Sequence, residues 1–191
     1  MANARFSIAP AYYTGSEVTP EVTVTHSGKT LVKDRDFIVT YHNNIEPSSY
    51  YNSPWVGIDG IGNYQGYVTK SFTINRADIS SCTVTLSDES LTYTGSSLRP
   101  TATVKSGDKE LTLNQDYYVS YRNNWDAGTA SAILTGTGNY TGSVTKDFTI
   151  KPLDISRYSA SLSQYSYTSD GTEKCPDVTV TYLSLIHISE P

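Results

Sequence analysis

GIGNYQGYVTKSFTI at 60–74 returns as GTGNYTGSVTKDFTI at 136–150. Asn63 becomes Asn139, an offset of 76 residues, and Gly62, Tyr64, Gly66, Phe72 and Ile74 keep step as Gly138, Tyr140, Gly142, Phe148 and Ile150. Upstream, DFIVTYHNN at 36–44 returns as DYYVSYRNN at 116–124, now at an offset of 80. Tyr13-Thr14-Gly15 and Pro20 return as Tyr93-Thr94-Gly95 and Pro100 at that same offset. The first copy is therefore longer by four residues between Asn44 and Gly62. Insertions collect at loop tips and strand ends, which assigns this one to the stretch 46–56.

A third copy opens after Ile150: LDIS at 153–156 repeats ADIS at 77–80, and PDVTV at 176–180 repeats PTATV at 100–104. The organisation is repeat one over 1–75, repeat two over 76–151 and a partial repeat three over 152–182. The period exceeds a solenoid unit and approaches one small β-sandwich.

Side-chain alternation supplies the secondary structure. Glu21-Val22-Thr23-Val24-Thr25 alternates polar and apolar with period two, a strand with one buried face. Val22 and Val24 should point inward, as should Ala102 and Val104, and Val178 and Val180. Phe37, Val39 and Tyr41 share a face, as do Tyr117, Val119 and Tyr121; Phe72, Ile74, Phe148 and Ile150 belong to a closing strand. Gly and Asn pairs such as Asn43-Asn44 and Gly138-Asn139 punctuate the strands, and both residues tolerate the positive φ of tight turns. No window shows a helical period. Short strands between such turns make the fold class all-β, a tandem of small immunoglobulin-like β-sandwich domains. Units of roughly 75 residues are marginal alone, so packing between neighbours should help. The short junctions Asn75-Arg76 and Lys151-Pro152 make the string semi-rigid.

Composition agrees. The 16 Tyr outnumber the 4 Phe, and β-branched and tyrosyl side chains suit a half-buried pleated surface. A net charge of −5 lacks the basic footprint of a nucleic-acid binder. No stretch is long and apolar enough to insert in a membrane as a helix.

The Tyr-Thr-Gly of 93–95, Pro100 with its Val/Thr strand, Asp116 to Asn124, Ala127-Gly128-Thr129-Ala130, Gly136 to Gly142 and Phe148-Thr149-Ile150 together resemble the bacterial Ig-like (MBG-type) repeats of Gram-positive surface proteins. The resemblance covers nearly all of 1–182, most fully in repeat two; repeat one lacks Ala-Gly-Thr-Ala. It implies a secreted or wall-attached protein, extracellular, in which such repeats act as spacers beside adhesive or hydrolytic domains. It brings no catalytic residues. The tail LSLIHISEP at 183–191 breaks the pattern and resembles a translated sequencing-library adapter, a non-native segment set aside from fold reasoning. Met1 aligns inside the first strand of its repeat, as though the chain were a fragment. Repeat three, with only its first strands, should be poorly ordered or prone to pair with another chain.

Chemistry-bearing residues are sparse. His26, His42 and His187 have no metal-ligand spacing, and repeat two replaces the first two with Ser106 and Arg122. Cys82 and Cys175 lie about a domain apart, too far to bridge. Asp34 and Asp36, and Asp108 with Glu110, read as polar loop residues rather than calcium ligands. Lys33, Lys70 and Lys146 are the lysines open to isopeptide cross-linking, and the sequence gives no core position for them. No nucleophile elbow or phosphate loop is present, and no cofactor or metal is expected. Tyr50, Tyr51 and Trp55, in the insertion, are the candidate ligand contacts, for a glycan or a host surface protein; cross-strand aromatic packing is the alternative. The expected function is a non-catalytic stalk whose partners are its own neighbouring repeats. An adhesin module and the accessory region of a secreted hydrolase are the rivals.

Overall fold

A computed structural model describes residues 4–182. The regular structure is almost wholly strand. The first unit contains β1 (Ala4–Ile8), β2 (Ala11–Tyr12), β3 (Val22–His26), β4 (Lys29–Thr30), β5 (Phe37–His42), β6 (Trp55–Gly60), β7 (Tyr67–Ser71) and β8 (Ile74–Asn75). The second contains β9 (Ala77–Asp78), a 3-10 turn (Ile79–Ser81), β10 (Thr83–Leu86), β11 (Ser90–Thr92), β12 (Ala102–Ser106), β13 (Lys109–Glu110), β14 (Tyr117–Arg122), β15 (Gly128–Gly136), β16 (Tyr140–Thr141) and β17 (Ser143–Lys151). A second 3-10 turn (Ile155–Arg157), β18 (Tyr158–Leu162) and β19 (Val178–Tyr182) follow.

In the second unit one sheet runs β10-β12-β13 and the other β11-β17-β15-β14, with β11 parallel to β17 and the remaining pairs antiparallel. Alternation sends Val84, Ala102 and Val104 from one sheet and Tyr117, Ala132 and Leu134 from the other into one apolar cluster. The first unit has the same plan: β1-β3-β4 and β5-β6-β7 enclose Val24, Phe37, Val56 and Ile58. Val22, Val24, Ala102, Val104, Phe148 and Ile150 are buried as the alternation requires, while Val39, Tyr41 and Phe72 are half-buried. Val178 and Val180 depart from expectation. They are exposed, because β18 and β19 form a two-stranded sheet and, among the described residues, no second sheet lies over it.

The repeated motif Asp-(Phe/Tyr)-x-Val-x-Tyr-x-Asn-Asn can be read bond by bond. Asp36 Oδ2 accepts the Val32 amide at 2.9 Å, and Asp116 Oδ2 the Thr112 amide at 2.8 Å, closing the turn before β5 and β14. Tyr41 donates its hydroxyl to the Pro20 carbonyl, and Tyr121 to Pro100, both at 2.6 Å. These bonds tie the last strand of the motif to the start of β3 or β12. Asn43 and Asn123 take φ of 54°, a left-handed conformation that Asn tolerates. Asn44 and Asn124 are buried and use both backbone and side chain: the backbone carbonyl of each accepts the Val18 or Leu98 amide, and the side-chain amide donates to that residue's carbonyl. Among the described residues no buried side-chain polar atom lacks a partner, as burial demands. Gly138 is fixed by space: at φ 59° its Cβ would stand 2.8 Å from the Gln115 carbonyl oxygen.

The insertion changes the first unit locally. Register pairs His42 with Trp55 as Arg122 pairs with Ser131, so Trp55 and Val56 lie in β6 and buried Pro54 takes the place of Ala130. Beyond Pro54 the chain leaves the sheet. Gly128 to Ala130 pair with Phe148 to Ile150 in the second unit, but the Phe72 amide donates to the Pro54 carbonyl, the Ile74 amide donates to the Ser48 hydroxyl, and the Ser48 amide donates back to the Ile74 carbonyl. The strand that is continuous as β17 is therefore split into β7 and β8.

The Asp36 carboxyl is held at about 2, first by its hydrogen bond from Arg35 and then by the Val32 amide. A carboxyl lowered on folding stabilises the native state fully above its ordinary value, and that stabilisation is lost as pH falls towards the lowered one. Asp36→Asn should flatten the loss of urea stability between about pH 4 and pH 2; curves of midpoint against pH that superimpose on the parent would contradict this.

Candidate functional sites

The two units share a joint. β2 runs parallel to β8, and β9 parallel to β16, so each end of the linker is stitched to a strand. The Tyr13 amide donates to the Asn75 carbonyl, Asn75 Nδ2 to the Ala11 carbonyl, and the Ala77 amide to the Asn139 carbonyl. Asp78 caps the 3-10 turn by accepting the Ser80 amide at 2.9 Å, which lowers its pKa. That turn drives Ile79 inward until it is wholly enclosed.

Ile79 sits in one continuous apolar cluster with Ala11, Tyr13 and Ile74 of the first unit and Val104, Leu111 and Tyr140 of the second. Tyr13 meets Tyr140 edge to face, with centroids 5.7 Å apart and planes at 89°, a favoured aromatic geometry. Lys109 Nζ lies 5.8 Å from the Tyr13 ring centre and 3.5 Å from its hydroxyl, a long hydrogen bond that nonetheless raises the Lys109 pKa. At the rim Asn139 Nδ2 donates to Glu46 Oε2 at 2.6 Å.

The sequence-derived contacts Tyr50, Tyr51 and Trp55 separate into two settings. Tyr50 and Tyr51 are 94% and 95% exposed and meet edge to face at 5.1 Å. Their loop is pinned from within: Asn52 Nδ2 donates to the carbonyls of Asn43, Glu46 and Pro47, and the Ser49 hydroxyl accepts the amides of Tyr51 and Asn52. Trp55 is half-buried on the outer side of β6 and stacks on cross-strand His42 at 3.8 Å with planes 11° apart. On the same side Tyr67 crosses Gly57, where a Cβ would come within 2.6 Å of the tyrosyl oxygen. The second unit has Arg122, Ser131 and Ser143 at the places of His42, Trp55 and Tyr67.

Other candidates gain little from the fold. His26 stands edge-on to Tyr64. Among the described residues no three His, Cys, Asp or Glu side chains gather to hold a metal. Lys33, Lys70 and Lys146 are exposed, and Lys70 lies over the Phe6 ring. Cys82 and Cys175 are free thiols, and burial raises the Cys82 pKa. No described helix is long and apolar enough to cross a membrane. His187 and the tail 183–191 lie outside the described residues. Comparison with family models, curated proteins and solved structures found no match for the chain.

Sequence reasoning picked out Tyr13 and Ile79 as repeated but not their meeting. The available signal was that Tyr-Thr-Gly and Asp-Ile-Ser recur at unit boundaries. What concealed it is that each motif's partner belongs to the next unit.

Deleting buried atoms from a shared core should affect both units. Ile79→Ala is expected to cost about 2–4 kcal/mol. Tyr13→Ala, a change in the first unit, should lower hydrogen-exchange protection at 77–80 and 139–141 in the second. Protection unchanged there would show that the ring contact couples nothing.

Proposed function

We propose that this chain is a non-catalytic spacer of a secreted or wall-attached bacterial surface protein, built from tandem immunoglobulin-like β-sandwiches. The observation that carries the reading is the buried joint. A stalk must hold its reach, and two units linked only by a flexible tether would not. Here Ile79 and Tyr13 join the apolar residues of both units in one core beside the linker, and strand pairing fixes both of its ends. The Thr- and Ser-rich outer faces, with 17% charged residues, suit a solvated rod with little long-range electrostatic steering. Its partners are its own neighbouring units, and its mechanism is geometric.

A second reading, a glycan-binding adhesin module, is favoured by one feature: the outer side of β5, β6 and β7. Trp55 on His42 and Tyr67 across Gly57 give the first unit exposed ring surface where the second has Arg122, Ser131 and Ser143. Aromatic rings offer large, rigid, amphipathic contact area at low entropic cost.

Residual dipolar couplings test the spacer. Amides of 4–75 and 76–151 should fit one alignment tensor, and Ile79→Asp should split it into two; two tensors in the parent chain would remove the rigid-spacer reading. A screen against polysaccharides tests the rival: binding lost in Trp55→Ala with stability retained would make the first unit an adhesin, whereas the spacer predicts no retained glycan.

A further inference from the structure

The second junction repeats the first up to a point. Asp154 Oδ1 accepts the Ser156 amide at 2.9 Å, as Asp78 does from Ser80. β18 and β19 pair in the register of β10 and β12: Leu162 faces Val178 as Leu86 faces Ala102, and Ala160 faces Val180 as Val84 faces Val104. The Ser163 amide donates to the Asp177 carbonyl as Ser87 does to Thr101. In the second unit this strand pair is covered, and Val84, Ala102 and Val104 are buried beneath β14 and β15. Among the described residues no strand covers the pair β18-β19. Ile155 is 72% exposed where Ile79 is 0%, and Val178 and Val180 are 62% and 49% exposed.

Ile155 and Val180 form part of a groove. Tyr93, Asp126, Leu153, Ile155, Tyr158 and Val180 line it. Tyr93 stands at the place of Tyr13 and Asp126 at that of Glu46, the two first-unit residues that grip the second unit. The groove is the near half of the first joint, with its apolar wall, its aromatic edge and its rim carboxylate already in position.

We propose that this groove is a docking surface for a β-sheet with the chemistry of β14, β15 and β16, supplied by a further repeat of the same kind. The occupant brings a tyrosine to meet Tyr93 as Tyr140 meets Tyr13, a carboxamide to meet Asp126 as Asn139 meets Glu46, and a Leu/Ala face to enclose Ile155, Val178 and Val180. The inference rests on the spacer reading and gives it a rule of growth: each unit finishes its core with residues of the next, so joints are formed by completing units.

The experiment extends the chain. Residues 1–180 are followed by copies of residues 105–151, and the product is compared with the 191-residue chain by hydrogen exchange. Protection of 153–162 and 178–180 should rise roughly 10- to 100-fold, the range expected for fully burying one isoleucine. Ile155→Asp and Tyr93→Ala should each abolish that gain in the extended chain and leave protection of 153–162 and 178–180 in the unextended chain unchanged. An extended chain in which 153–162 stays unprotected, or in which the gain survives Ile155→Asp, overturns the proposal. Self-association of the 191-residue chain with the same protection would give the groove to a second copy, and also overturns it. Protection at 77–80 and 139–141 reports the first joint independently, so failure of the spacer reading is distinguishable from failure of this surface.

Discussion

The enclosure of Ile79 between two units is the contact on which the rest of the described structure turns. Short strands bury one side chain in two, and units of roughly 75 residues leave little apolar interior. Each unit here has few large buried side chains, and several of the buried residues in the second are alanines: Ala102, Ala130 and Ala132. Sharing a cluster across the junction enlarges the core without lengthening either unit. It also removes the freedom of the linker, because β8 and β9 are each hydrogen-bonded to a strand of the unit they bound. Stability and stiffness thus come from the same side chains.

Around that joint, each unit is held by a few long-range polar ties that recur in the same form. Tyr41 and Tyr121 reach a proline carbonyl, Asn44 and Asn124 clasp Val18 and Leu98, and Asp36 and Asp116 close a turn. Each satisfies a backbone group that burial would otherwise leave without a partner, at a cost of about 1–3 kcal/mol apiece. This explains why Asp, Tyr and Asn recur together at fixed spacing within one nonapeptide. The insertion is tolerated because it replaces what it removes: Pro54 fills the position of Ala130, and Ser48 accepts the Ile74 amide that a strand would have taken.

Much of this was legible in advance. Period-two alternation put Val22, Val24, Ala102 and Val104 in the core, where they are. The same alternation in Val178 and Val180 pointed inward too, and there it failed. Alternation states which side of a strand is apolar; it does not state that a second sheet lies over that side. Among the aromatic candidates, Tyr50 and Tyr51 do sit in the inserted loop. Trp55 lies instead in a strand against His42, a pairing set by register rather than by loop length.

By itself the sequence determined the all-β character, the strand faces, the turn positions and the recurrence of the plan, because each depends on side-chain periodicity and local backbone preference. Only the tertiary structure decided that Tyr13 meets Tyr140, that Lys109 reaches Tyr13 and Asn139 reaches Glu46 across the boundary, and that Ile79 is buried while Ile155 is not. Those outcomes depend on which surface docks on which. Burial is a property of a pair of surfaces, and a strand's own residues specify only one of the two.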